Sequence, residues 1–113
     1  MEQNPSRRST QPLARLQQWY ALQCNGDWEH EFGVKIDTLD NPGWVVDIDL
    51  METNLEGAYN GRIERAVSNK NWIDITITDE KFLATGDAGQ LDEIISQFLY
   101  FAENKCPSDK SLL

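Results

Sequence analysis

Three stretches between Phe32 and Thr78 alternate apolar and polar residues, and the links between them are short. Phe32, Val34 and Ile36 alternate with Gly33, Lys35 and Asp37. Trp44, Val46, Ile48 and Leu50 alternate with Val45, Asp47, Asp49 and Met51. Ile73, Ile75 and Ile77 alternate with Asp74, Thr76 and Thr78. A period of two describes a strand with one face buried and the other wet. Parallel strands need a crossover of about a dozen residues or more, so links this short predict antiparallel pairing. The first link, Asp40-Asn41-Pro42-Gly43, is a strong turn signal, with Pro42 fixing φ and Gly43 free to take positive φ. Beyond the polar connection Glu52 to Gly57, a shorter strand is expected from Tyr59 to Ala66. Asn69-Lys70-Asn71 then turns the chain, and a last strand runs from Phe82 to Thr85.

Helices bracket these strands. Pro12, tolerated in a first turn, opens a run in which Leu13, Leu16, Trp19, Tyr20 and Gln23 recur at helical spacing. Asn25-Gly26-Asp27 ends it, with Gly26 suited to a left-handed cap. Asp87 and Gln90 are placed as a capping box for a second helix, whose Leu91, Ile94, Ile95, Phe98, Tyr100, Phe101 and Ala102 carry the stripe of a helix lying on a core. The expected fold is α+β: an antiparallel β-meander of about five strands with N- and C-terminal helices packed on one face. Leu16, Ile36, Val46, Ile48, Ile75, Leu91, Ile95 and Phe98 form its expected core. One domain occupies residues 10–104, between flexible tails 1–9 and 105–113, and the 113 residues leave no room for a second.

Charge narrows the function. Lys and Arg number 10 against 19 Asp and Glu, a formal net charge of −9. A nucleic-acid binder relies on a basic footprint, and a polybasic grip on anionic lipid is disfavoured for the same reason. No stretch approaches the ~20 apolar residues of a membrane span, and the polar N-terminus lacks the apolar run of a secretory signal. A cytoplasmic protein is expected, with Cys24 and Cys106 as free thiols or, less in keeping with a reducing compartment, one helix-to-helix disulfide. Alternation sends Lys35, Asp37, Asp47, Asp49, Asp74, Thr76 and Thr78, with Glu64, to the face away from the helices. That acidic face is either solvated surface or a docking surface for a basic protein. Trp72 shares its outward parity and Trp28 lies between helix and strand; exposed tryptophans are common interface anchors.

Little else carries chemistry. His30 is the single histidine, six residues from Cys24 across a helix end, and no third residue marks an orienting partner. The scattered cysteines and histidine lack zinc spacing, and Asp47-x-Asp49 alone supplies too few oxygens for calcium. Gly86-Asp87-Ala88-Gly89 precedes a helix without the lysine of a phosphate loop. Neither cofactor, metal nor catalysis is expected.

The stretch Trp19-Tyr20-Ala21-Leu22-Gln23-Cys24-Asn25-Gly26-Asp27-Trp28-Glu29-His30-Glu31-Phe32-Gly33-Val34-Lys35-Ile36, followed by Thr38-Leu39-Asp40-Asn41-Pro42-Gly43-Trp44, resembles the immunity protein 53 family of bacterial polymorphic toxin systems. There a helix bearing W-Y-x-x-Q-C leads into D-W-E-H, a strand and the T-L-D-N-P-G-W turn. The likeness is strong from about Leu16 to Leu50 and continues more weakly through Trp72 to the last helix. It implies a non-enzymatic cytoplasmic antidote that binds and neutralises a cognate toxin domain. Trp28, Glu29, His30, Asp40, Asn41 and Trp44 are then either scaffold or contact surface. The charge suits a basic, nuclease-like toxin whose groove accepts carboxylates in place of phosphates, with Asp37, Asp47, Asp49, Asp74, Trp72 and Trp28 as the expected contacts. The competing classes are a small hydrolase or thiol enzyme using Cys24 and His30, and a regulatory module with no toxin.

Overall fold

The computed structural model describes residues 11–108; the expected tail 1–9, and residues 109–113 of the other, lie outside the described residues. In chain order the elements are α1 (Pro12–Gln23), α2 (Trp28–Glu31), β1 (Val34–Leu39), β2 (Gly43–Asp49), β3 (Gly61–Ser68), β4 (Asn71–Ile77), β5 (Lys81–Asp87) and α3 (Leu91–Asn104). The strands form one five-stranded antiparallel sheet. The α+β class and the positions of α1 and α3 agree with the sequence expectation, whereas the single turn of α2 falls where a loop was expected. The strand order does not follow the chain throughout: it runs β1-β2-β5-β4-β3.

The three hairpins form as local turn chemistry dictates, but β5 inserts between β2 and β4 and leaves β3 on the far edge. One feature fits β5 for the centre. Its core-facing side carries Phe82, Ala84 and Gly86, buried between Ile48, Val46 and Trp44 of β2 and Ile77, Ile75 and Ile73 of β4. Small residues there let the helical layer approach, and a Cβ on Gly86 would come within 2.8 Å of the Gln90 side chain. The chain from β2 to β3 is also more than a polar link, since Leu50 and Leu55 are wholly buried and anchor it to the core. Gly43 does not take the positive φ that its turn position suggested. Its lack of a side chain serves close approach instead, because a Cβ would lie 2.4 Å from the Gly86 carbonyl oxygen.

α3 lies on one sheet face. Its Ile94, Ile95, Phe98, Leu99 and Phe101 are buried, and Phe98 meets Phe82 edge-on at 5.2 Å. α1 packs on α3: Trp19 stands edge-on to Phe98 at 4.9 Å, Leu16 enters the core, and Arg15 pairs with Glu103. The expected core holds with two exceptions. Leu91 is only partly buried, and Ile36 is 38% exposed, because β1 is an edge strand that the helices do not fully cover. The capping box does not form either. Gln90 is the residue before α3 and caps nothing with its side chain. The Asp87 carboxylate instead accepts the Trp72 N–H at 2.8 Å and the Gly89 N–H at 2.9 Å, bracing the end of β5 against the start of β4. Burial opposes its ionisation, but these donors, with the Gln90 amide, outweigh it and hold its pKa below the ordinary carboxylate value.

Candidate functional site

Among the described residues no helix covers the sheet face opposite α1 and α3, and the ladder fixes what stands on it. β2 sends out Val45, Asp47 and Asp49; β5 sends out Lys81, Leu83 and Thr85; β4 sends out Trp72, Asp74 and Thr76. β1 adds Lys35 and Asp37, and β3 adds Arg62 and Glu64. Each residue of the expected outward set that lies on a strand is therefore on this face. Inserting β5 changes their arrangement. Asp47 and Asp74 stand on strands two apart, about 10 Å at the usual strand spacing, with Leu83 and Thr85 between them. The centre of the face is thus a weakly polar patch of Val45, Leu83, Thr85 and Thr76, in which Leu83 is 40% exposed. Carboxylates flank it on both sides, and Trp72 closes one end.

These carboxylates are not bare. The Lys81 ammonium donates to both oxygens of Asp47 at 3.1 Å and lies 3.8 Å from Asp49. The bond to Asp47 raises the Lys81 pKa above its ordinary value, against the opposing effect of burial. The Arg62 guanidinium grips Asp74 with two bonds, of 3.0 and 2.6 Å, and lies 3.6 Å from Glu64; the Asp74 bond and charge raise its pKa. Asp49 also accepts the Gly33 N–H at 2.9 Å, and Asp37 accepts the Thr38 N–H at 2.8 Å. Sequence reasoning missed Lys81 and Arg62 because each reaches its acid across strands, a pairing that only the register reveals. Carboxylates still outnumber cations on the face. Beside Trp72, a shallow cavity of about 370 Å³ is lined by Glu64, Ala66, Val67 and Asp74.

Trp28 does not belong to this face. It is 2% exposed, donates its indole N–H to the Met51 carbonyl at 2.9 Å and packs against the rings of Trp19, Tyr20 and Phe32. The reason is local. Asn25 Oδ1 accepts the Asp27 and Trp28 N–H groups, starting the single turn of α2, and that turn points the indole inward. Glu29 accepts the Asn25 and Gly26 N–H groups at 2.9 and 2.8 Å and holds Gly26 at φ 96°. Its own N–H and these two keep the Glu29 pKa low despite burial. The D-W-E-H segment thus includes two scaffold residues, Trp28 and Glu29, while His30 is exposed. Trp44 is scaffold as well, its indole N–H donating to the Ala88 carbonyl at 2.9 Å.

The Cys24 thiol donates to the Tyr20 carbonyl, and no hydrogen bond joins it to His30. Cys24 and Cys106 are free thiols. Among the described residues, no three His, Cys, Asp or Glu side chains converge as a metal site, and no helix is long and apolar enough to cross a membrane.

Comparison with known proteins adds one match. A family model described as Immunity protein 53 covers residues 13–103, well over half of the chain. No curated protein and no solved structure matches it.

Proposed function

Since the chain belongs to the immunity protein 53 family, whose members answer to a toxin, we propose that it neutralises its cognate toxin by docking on the open sheet face. The toxin surface it takes is basic, as in a nuclease-like effector domain of a polymorphic toxin system. The observation that carries this reading is the layout of the face. A weakly polar centre, Val45, Leu83, Thr85 and Thr76, is framed by Asp37, Asp47, Asp49 and Asp74, with Trp72 at one end and, among the described residues, no helix above it. Interfaces place their energy in a desolvated centre and leave charge to the rim. Rim charge steers encounter and selects partners more than it adds affinity. Lys81 and Arg62 hold Asp47 and Asp74 in fixed geometry, so these acids meet a partner with less side-chain freedom left to lose. A cytoplasmic site of action and an absence of turnover belong to the same reading.

Association kinetics with the cognate toxin domain test it. Asp47→Lys with Asp49→Lys slows association and flattens its salt dependence, while Trp72→Ala mainly speeds dissociation. Asp49 also bonds the Gly33 N–H, so folding of each variant is verified first and Asp47→Lys alone serves as the cleaner control. Folded variants that bind at wild-type rates and still protect cells would overturn the proposal.

A further inference from the structure

The two edges of the sheet are guarded differently. β3 carries an irregularity between Ala66 and Ser68, and its Arg65 points a charge toward the helical side. Both devices discourage strand addition. β1 has neither, since all six of its residues pair with β2 in unbroken register.

The ladder shows which of its backbone groups are open. The Asp49 N–H donates to the Gly33 carbonyl at 3.0 Å, and on the other side of β2 the Leu50 N–H donates to the Glu80 carbonyl at 2.8 Å. Bonding alternates along an antiparallel pair. Lys35, Asp37 and Leu39 therefore turn their backbone groups to β2, while Val34, Ile36 and Thr38 turn theirs outward. The bond from the Thr38 N–H to its neighbour Asp37's own side chain fits this assignment.

We propose that β1 pairs with β1 of a second copy of this chain, antiparallel about a two-fold axis at Ile36, joining two sheets into one. Three outward-facing residues permit few registers. Centring on Ile36 sets Ile36 opposite its counterpart and Val34 opposite Thr38, which uses every open backbone group of the three. The same register sets Lys35 opposite Asp37 twice, in the non-bonded positions where side chains approach most closely. Moving either copy by two residues costs a bonded pair and sets Lys35 against Lys35 or Asp37 against Asp37. The strand is thus self-complementary in one register, as an isologous interface requires. On the helical side, Ile36, exposed on its own, is covered by its counterpart next to a groove of about 280 Å³ lined by Leu16, Gln17, Tyr20, Gly33 and Val34. Asp37 gives up Thr38 for the partner's Lys35. The open acidic face continues across the joined sheet, so this pairing does not depend on toxin docking.

Sedimentation equilibrium tests the proposal, across micromolar concentrations and at physiological salt, where charges beyond ~8 Å are screened. The wild-type chain associates to a dimer. Lys35→Asp sets acids opposite acids and Asp37→Lys sets bases opposite bases, so each alone weakens self-association roughly tenfold or more. Mixing the two variants restores opposite charges at both positions and recovers the dimer, an outcome that misfolding of either variant cannot produce. A wild-type chain that stays monomeric throughout overturns the proposal and leaves the edge to a strand from the toxin. Single variants as tightly dimeric as wild type, or a mixture that stays monomeric, overturn it as well.

Discussion

Replacing Trp28 separates a scaffold role from a contact role, because the two predict opposite readouts. The indole is buried on all sides, touching Trp19 and Tyr20 of α1 with centroids 6.1 Å away and Phe32 at 6.0 Å. Trp28→Ala removes one of the largest side chains of the interior and should cost about 3–5 kcal/mol. Trp28→Phe keeps most of the apolar volume but leaves the Met51 carbonyl without its indole donor, for about 1–3 kcal/mol. Domains of this size hold about 5–15 kcal/mol in all, so the alanine variant sits near the edge of folding and the phenylalanine variant does not. Urea unfolding followed by far-UV circular dichroism measures both without relying on the fluorescence of the residue removed. The midpoint should fall in the order wild type, Phe, Ala, with the denaturant slope unchanged. Folded Trp28→Phe should bind the toxin with wild-type affinity. An alanine variant within about 0.5 kcal/mol of wild type, the scatter of ordinary surface substitutions, would refute the burial argument. A stable phenylalanine variant that loses toxin affinity would return Trp28 to the interface.

Three further outcomes follow from the fold. Gly43→Ala drives a methyl into the Gly86 carbonyl and should destabilise by about 1–3 kcal/mol, measured by the shift of the thermal midpoint. Ile48→Ala, at a fully buried site, should cost about 2–5 kcal/mol in urea unfolding. Asp87 has its folded pKa depressed, so the stability it contributes is present above the unfolded carboxylate pKa of about 3.9 and drains away as pH falls through the lower folded value. Asp87→Asn should lower stability at neutral pH and flatten that acid limb; an unchanged limb would show that the carboxylate's bonds to Trp72 and Gly89 add nothing.

The parts of this fold legible in the sequence are those set by local physics. Alternation assigned Asp47, Asp49, Asp74 and Thr76 to one face and Val46, Ile48 and Ile75 to the other, because a strand's side chains have only two directions to take. The stripe in α3 and the turn at Asp40-Asn41-Pro42-Gly43 are similarly local. Strand order is not, since nothing within Lys81 to Asp87 states that it pairs with β2 as well as with β4. Two features were out of the sequence's reach for that reason. Ile36 has core parity but stands on an edge, and Asp47 and Asp74 have cations that reach them from other strands. The burial of Trp28 was illegible for a different reason. A loop of polar residues with a glycine gave no periodicity, and the single turn that buries the indole depends on Asn25 and Glu29 bonding backbone groups nearby.

The open sheet face as the toxin-binding surface is tested most directly by hydroxyl-radical footprinting of the chain alone and in complex with its toxin domain. Side chains report, so the two faces of the molecule are distinguished even though the sheet's amides are already protected. Leu83 and Trp72 mark the open face; Leu22 of α1 and Tyr100 of α3, 82% and 43% exposed, mark the helical side. Toxin should protect Leu83 and Trp72 and leave Leu22 and Tyr100 at their free rates. Protection of Leu22 and Tyr100, with Leu83 and Trp72 unchanged, would place the toxin on the helices and contradict the account.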